Sequence, residues 1–267
     1  NRFETNISKE KFMEIVEKAK FYVKEGDIFQ VNLSQRFGAE IGKDESIELY
    51  RILRAINPSP FASLVHINDF KLISQSPERL VRLKDGIADT RPIAGTRRLV
   101  KGNEVKNEEL AMELKNDPKE CAEHVMLVDL ERNDIGKIAE FGTVEVDEFM
   151  VIERYSHVMH LVSNVKGVLR KDLDAFDLLK AMFPGGTITG APKIRSMEII
   201  EELEPTRRGF YTGSLGFVGY NGDMDFNIII RSFIEKNNKV YFQVGAGIVY
   251  DSIPEREYKE TINKARA

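Results

Sequence analysis

The sequence predicts an α+β fold in which packed β-sheets are clad by helices. Three observations carry that prediction. The first segment repeats apolar residues at helical spacing, alternating stretches cluster in 61–93 and 213–249, and no repeat or low-complexity linker interrupts the run. With 267 residues, 42% of them hydrophobic, the chain can build one large core or two closely fused lobes, and a single domain over 1–267 is expected.

Residues 8–24 read as an amphipathic helix. Ser8 stands at its start, Phe12, Ile15, Val16, Ala19 and Val23 share one face, and Gly26 closes it. Residues 27–37 alternate imperfectly, as a strand does. A second helix over 45–56 ends at the breaker Asn57-Pro58-Ser59-Pro60. Strands are expected at 61–66, 70–75, 79–83 and 87–93, and helices at 107–115 and 118–131. Extended segments at 143–152 and 158–168 precede helices at 174–182 and 192–202. The final third predicts strands at 213–220, 224–234 and 239–249, with hairpin signals at Asn221-Gly222 and Asn237-Asn238. A last helix starts near Pro254, where Ser252-Ile253-Pro254-Glu255 has capping-box spacing.

Composition excludes several function classes. Charged residues make up 31% of the chain and the net charge is −4, so there is no basic excess of the kind that binds nucleic acid. Cys121 is the only cysteine, which rules out a disulfide within the chain and predicts a reducing, cytoplasmic setting. Apolar runs such as Phe226-Asn227-Ile228-Ile229-Ile230 are too short to cross a bilayer, and no charged-then-apolar leader opens the chain. The start at Asn1, helix-like at once, reads as a fragment lacking an upstream region.

Two acidic helices carry the strongest chemical signal. Glu120 and Glu123 are three residues apart and share a helix face; Glu257 and Glu260 repeat the spacing, with Lys264 one turn further on. Such carboxylates suit a hard cation, magnesium above all. The alternative reading is two solvated helix faces. The run Phe183 to Lys193 (FPGGTITGAPK) lacks the Lys-Ser/Thr of a phosphate loop, leaving a glycine-rich turn that opens a helix and offers backbone N–H groups to an anion. Gly245-Ala246-Gly247 is either a close backbone approach to a ligand carboxylate or a β-bulge. Arg231, after three isoleucines in a buried-looking strand, needs a buried ion pair or an anionic ligand. His160 sits in an apolar strand, where a hydrogen-bonded core histidine is the ordinary outcome.

Taken together, Gly26–Leu33 (GDIFQVNL), Ser76-Pro77-Glu78-Arg79, Arg91–Arg97 (RPIAGTR), Ala122-Glu123-His124 through Asp134, Pro184–Lys193 and the Gly245–Lys264 end resemble the chorismate-utilising enzymes, in order and over nearly the whole chain. The resemblance implies the anthranilate synthase-type fold, Mg2+ as cofactor and chorismate as substrate. It implies Glu123 and Glu260 as direct magnesium ligands, with Glu120 and Glu257 behind them. Tyr211, Arg231, Gly245, Ala246, Gly247 and Lys264 resemble the groups that hold the substrate carboxylates, and Gly95, Thr96 and Thr187 match further pocket positions. Glu78 resembles the general acid that protonates the departing 4-hydroxyl, a task suited to a desolvated carboxyl. His160 matches the family histidine near the substrate.

Water-using members carry a lysine base where Gln30 stands, so the resemblance points to ammonia as nucleophile, supplied from glutamine by a separate amidotransferase. Pro184-Gly185-Gly186-Thr187-Ile188-Thr189, Leu130–Asn133 and Val31–Gln35 lean toward members that make 4-amino-4-deoxychorismate for para-aminobenzoate and folate. Ala94 leans toward those that make anthranilate plus pyruvate, because many of the former carry there a lysine that attacks C2.

Overall fold

The computed structural model describes residues 3–42, 45–56, 58–155 and 158–266. In chain order the elements begin β1 (Glu4–Thr5), α1 (Lys9–Lys24), β2 (Gln30–Glu40), α2 (Glu45–Ile56), β3 (Phe61–Ile67), β4 (Phe70–Ser76), β5 (Arg79–Lys84), β6 (Ile87–Thr90) and β7 (Ile93–Arg98). There follow α3 (Glu104–Asn116), α4 (Pro118–Gly136), β8 (Glu145–Arg154), β9 (Val158–Val168), α5 (Ala175–Met182), β10 (Gly190–Ala191) and α6 (Lys193–Leu203). The chain closes with β11 (Gly216–Val218), β12 (Met224–Asn227), β13 (Ser232–Lys236), β14 (Lys239–Ile248) and α7 (Pro254–Arg266). Helix and strand take nearly equal shares, as the α+β prediction requires. Among the described residues, no helix is long and apolar enough to cross a membrane.

The chain divides into two compact units. Unit one comprises residues 1–77, 184–215 and 227–267; unit two comprises 78–183 and 216–226. In unit one the sheet order is β1-β2-β14-β13-β4-β3, with β10 pairing β2. Its backbone is the antiparallel ladder in which residues 31–40 face 248–239 one for one. One face of that ladder presents Val31, Leu33, Ala246 and Ile248, all fully excluded from solvent, to Phe12, Ile15, Val16 and Ala19 of α1 and Ile199, Ile200 and Leu203 of α6. Each Val, Leu, Ile or Phe among them contributes roughly 1.5–3 kcal/mol by leaving water. α1 begins as expected: the Ser8 hydroxyl accepts from Lys11 N at 3.2 Å, and Gly26 leaves the helix at φ 83°. α7 is tied down where Gln35 Nε2 donates to Thr261 Oγ1 at 2.6 Å. Asn237 and Asn238, at φ 53° and 58°, form the expected two-residue hairpin turn.

In unit two the order is β11-β12-β5-β6-β9-β7, with β8 also on β9. Leu114 and Ala111 of α3 pack on Met159 and Leu161 of β9. Arg79 chelates Asp225 (2.9 and 3.2 Å) and reaches Asp89, which also accepts from Arg82 at 2.8 Å.

The structure corrects several expectations. The strand foreseen over 87–93 stops at Thr90 and resumes as β7, since Pro92 has no N–H to donate to a ladder. The strand foreseen over 224–234 breaks into β12 and β13. Arg231 therefore lies outside any strand, exposed, at φ 49°; three isoleucines suggested buried strand, but left-handed backbone ends the ladder there. The 213–220 strand shrinks to β11. Ser252 does not cap α7: its hydroxyl turns back to accept from Val249 N at 3.1 Å, one residue too early for the box. No bulge occurs at Gly245–Gly247, which pair with Ser34, Leu33 and Asn32 in unbroken register. Asn57 of the expected breaker lies outside the described residues.

The turn after α5 is fixed by Gly190. At φ 137°, an added Cβ would lie 2.1 Å from Gln30 O and 2.7 Å from Ser196 Oγ. Gly190→Ala is expected to cost at least about 2 kcal/mol in urea denaturation; a loss below about 0.5 kcal/mol contradicts this close approach.

Candidate active site

Each unit assembles its own group of the residues singled out in the sequence. In unit two, β7 carries Ala94, Gly95 and Thr96. Its register against β9 runs from Ala94↔Leu161 to Thr96↔His160, so Gly95 bulges out of the ladder. Glycine is required there twice over. Its φ is 59°, and a Cβ would lie 2.6 Å from Leu114 Cδ1 and 2.9 Å from Glu120 Oε2. The bulge turns the Gly95 carbonyl and the Thr96 hydroxyl onto His160 Nδ1, at 3.1 and 3.0 Å. A carbonyl only accepts, so this contact places a proton on Nδ1. His160 is thus a hydrogen-bonded, buried histidine, with the Tyr155 ring edge-on at 5.6 Å. Burial and the Glu153 carboxylate push the Tyr155 phenol up to about 12.

Asp117 caps α4 by accepting from Lys119 N and Glu120 N at 3.0 and 3.2 Å, and so fixes where Glu120 begins the helix. Arg97 then gathers Glu113, Asp117 and Glu120 at 3.1, 3.4 and 3.4 Å. Burial works against the Arg97 charge, but the hydrogen bonds it donates to Glu113 and Glu120 outweigh it and raise its pKa. Glu123 is half-buried one turn on, and Glu78 is buried at the head of β5. Ala94 is buried and presents only a methyl group.

α4 is held on β9 by His124, fully buried, whose Nε2 lies 2.6 Å from Ser163 Oγ; that oxygen also accepts from Met150 N at 3.0 Å. The His124 Nδ1 has no hydrogen-bond partner among the described residues. Burial lowers its pKa to about 4.

In unit one the centre is Gly245. A Cβ there would lie 2.5 Å from Asn32 Oδ1 and 2.9 Å from the Tyr211 hydroxyl. Asn32 Oδ1 is buried and accepts no hydrogen bond among the described residues, a polar atom with capacity to spare. Lys264 Nζ donates to Gly245 O at 3.0 Å and pairs with Glu260 at 2.8 Å; Glu257, one turn earlier, is buried. Ala246 and Gly247 continue β14, Ala246 with its methyl on the apolar face. Gln30 is buried opposite Ala191, and its carbonyl accepts from Ser196 Oγ at 3.1 Å. Thr187 stands half-buried in the single 3-10 turn Gly186–Ile188. Arg208 stacks its guanidinium 5.5 Å from the Tyr211 ring centre and pairs with buried Glu204 at 2.7 Å. Arg97, Asn32, His124 and the Arg208–Glu204 pair were not distinguished in the sequence. Asn32, Arg97 and His124 lay inside the family-like stretches, and the i,i+4 spacing of Glu204 and Arg208 was the only hint of that pair.

Each unit therefore supplies one i,i+3 pair of carboxylates. Their hard oxygens fit magnesium chemically. Among the described residues, however, no group of three or more His, Cys, Asp or Glu side chains gathers to hold a metal, and Glu120 and Glu260 each lean on a cation.

A family model for a chorismate binding enzyme matches residues 1–267. The chain belongs to that family. It is 54% identical over 265 residues to the aminodeoxychorismate synthase component 1 of Bacillus subtilis, covering 99% of this chain and 56% of that protein. It is 52% identical over 263 residues to the anthranilate synthase component 1 of Aquifex aeolicus, covering 98% and 53%. It thus spans about half the length of the curated relatives it matches. The solved anthranilate synthase component I of Streptococcus pneumoniae superposes with a TM-score of 0.92 at 48% identity, over all of this chain and 59% of that one. The isochorismate synthase MenF of Escherichia coli, at 24% identity and TM-score 0.84, shares the fold over 100% of this chain and 61% of its own.

His124 gives a pH test of this packing. Its folded pKa is depressed, so the unfolded chain takes up a proton near pH 6.5 while the folded one does not until about pH 4. Stability is then lost as pH falls through that window, by on the order of 3 kcal/mol once pH is below 4. An NMR titration of the ring should stay neutral at pH 5; a midpoint near 6.5 contradicts the buried His124–Ser163 contact.

Proposed function

We propose that this domain aminates chorismate in a magnesium-dependent reaction, with ammonia drawn from glutamine by a partner amidotransferase, giving 4-amino-4-deoxychorismate. The observation that carries the reading is Gln30, a buried amide where water-using relatives hold a lysine base. Without a base, water is a poor nucleophile, whereas ammonia needs none. Glu123 and Glu260, with Glu120 and Glu257 behind them, would hold magnesium, which would supply positive charge against the ring carboxylate. Tyr211, Arg231, Lys264 and the Gly245–Gly247 backbone hold the substrate carboxylates; the missing Cβ at Gly245, beside which the Tyr211 hydroxyl and the Lys264 amine stand as donors, supports that role. Glu78, buried at the head of β5, gives a proton to the departing 4-hydroxyl, because hydroxide leaves poorly. His160, Gly95, Thr96 and Thr187 shape the pocket around the ring.

One observation favours a second reading. Ala94 is buried and has no amine, so no covalent adduct at C2 is available through it. Addition of ammonia at C2 with loss of pyruvate, giving anthranilate, then competes.

Incubation with chorismate, magnesium and an ammonium salt separates the two by chromatography. The expected product is 4-amino-4-deoxychorismate, which yields para-aminobenzoate only after a lyase is added. Fluorescent anthranilate appearing without the lyase would overturn the first reading in favour of the second. Glu260→Gln is expected to lower kcat/KM by about 100-fold or more. Its half-exposed ion pair with Lys264 is worth under about 1 kcal/mol, so the melting temperature should hardly move. Unchanged rates would remove Glu260 from the metal site.

A further inference from the structure

Unit one contains a cavity of about 240 Å³ that no role above accounts for. It lies against the polar face of the sheet, beyond Tyr211. Its lining includes four cations, Arg36, Arg207, Arg208 and Lys236, and no carboxylate. Three of those cations are already engaged. Arg208 pairs with Glu204 at 2.7 Å, Arg207 with Glu201 at 2.9 Å and Lys236 with Asp69 at 2.9 Å. Arg36 has no ion pair among the described residues. Its guanidinium instead stacks 5.3 Å from the Tyr241 ring centre, which presets its plane. Phe210, Tyr211 and Tyr241 supply flat apolar walls.

We propose that this cavity is a second small-molecule site, for a cyclic or aromatic carboxylic acid whose carboxylate pairs with Arg36 and whose ring lies among Phe210, Tyr211 and Tyr241. A cation is repelled by the lining. An inorganic anion would satisfy Arg36 but leave the ring walls unfilled, and a neutral ring would leave the half-buried guanidinium unpaired. The volume, several times the ~30 Å³ share of one water, matches a single ring with its substituents. Tyr211 lines this cavity while its hydroxyl approaches Gly245.

The test is calorimetric titration of the chain with benzoate, without magnesium or chorismate, so that its outcome is independent of turnover. Saturable 1:1 binding is expected, weakened at least about tenfold for benzamide and for Arg36→Met, with shifts of the Ile229 and Ile234 methyl resonances. Arg36→Lys should retain most of the affinity, and Lys264→Met should retain all of it. Absence of saturable binding, equal affinity in Arg36→Met, displacement by equimolar inorganic phosphate, or loss in Lys264→Met would each overturn the assignment, the last by placing benzoate among the substrate groups.

Discussion

The ladder between β2 and β14 is the constraint on which unit one depends. Its alternation sends Val31, Leu33, Ala246 and Ile248 into the helices and leaves Gln30, Asn32, Gly245 and Gly247 on the other face. A slip of one residue would exchange the two sets, burying amides against α1 and exposing aliphatics, so the apolar core enforces the register of the polar groups. Hydrophobic burial, which has no direction of its own, is thereby converted into placement of side chains on a chosen face. The close approach at Gly245 is a further consequence: only where no Cβ intervenes can Asn32, Tyr211 and the Lys264 amine crowd one backbone position.

Unit two reaches a comparable result by a different device. Instead of an unbroken ladder it uses one bulged glycine, Gly95, to turn a carbonyl and a hydroxyl onto His160 and to bring backbone against Glu120. The buried contact of His124 with Ser163 and the part-exposed contacts of Arg97 with Asp117 and Glu120 then set the rotation of α4. The carboxylates that suit a cation are held beside Arg97 and Lys264, which limits the repulsion that two neighbouring anions on a helix would otherwise suffer.

Much of this was legible in residue order. The periodicity of α1, the Asn237-Asn238 turn and the paired glutamates of α4 and α7 are local signals, and local physics decides them. Arg231 was misplaced because three isoleucines look alike in a strand and in a buried turn; its left-handed backbone is imposed by tertiary context. Gly245 could have been a bulge or a ladder position, and only the pairing partner decides that. The Ser252 hydroxyl had a competing donor three residues upstream that spacing alone cannot weigh. Arg97 was visible as a letter, but its three partners come from the α3–α4 corner, which no motif describes.

The direct test of the account is a crystal structure of the chain with chorismate bound. The prediction is a carboxylate of the substrate on the Tyr211 hydroxyl and the Gly245–Gly247 backbone. Chorismate seated away from Gly245, with Asn32, Tyr211 and Lys264 untouched, would contradict it.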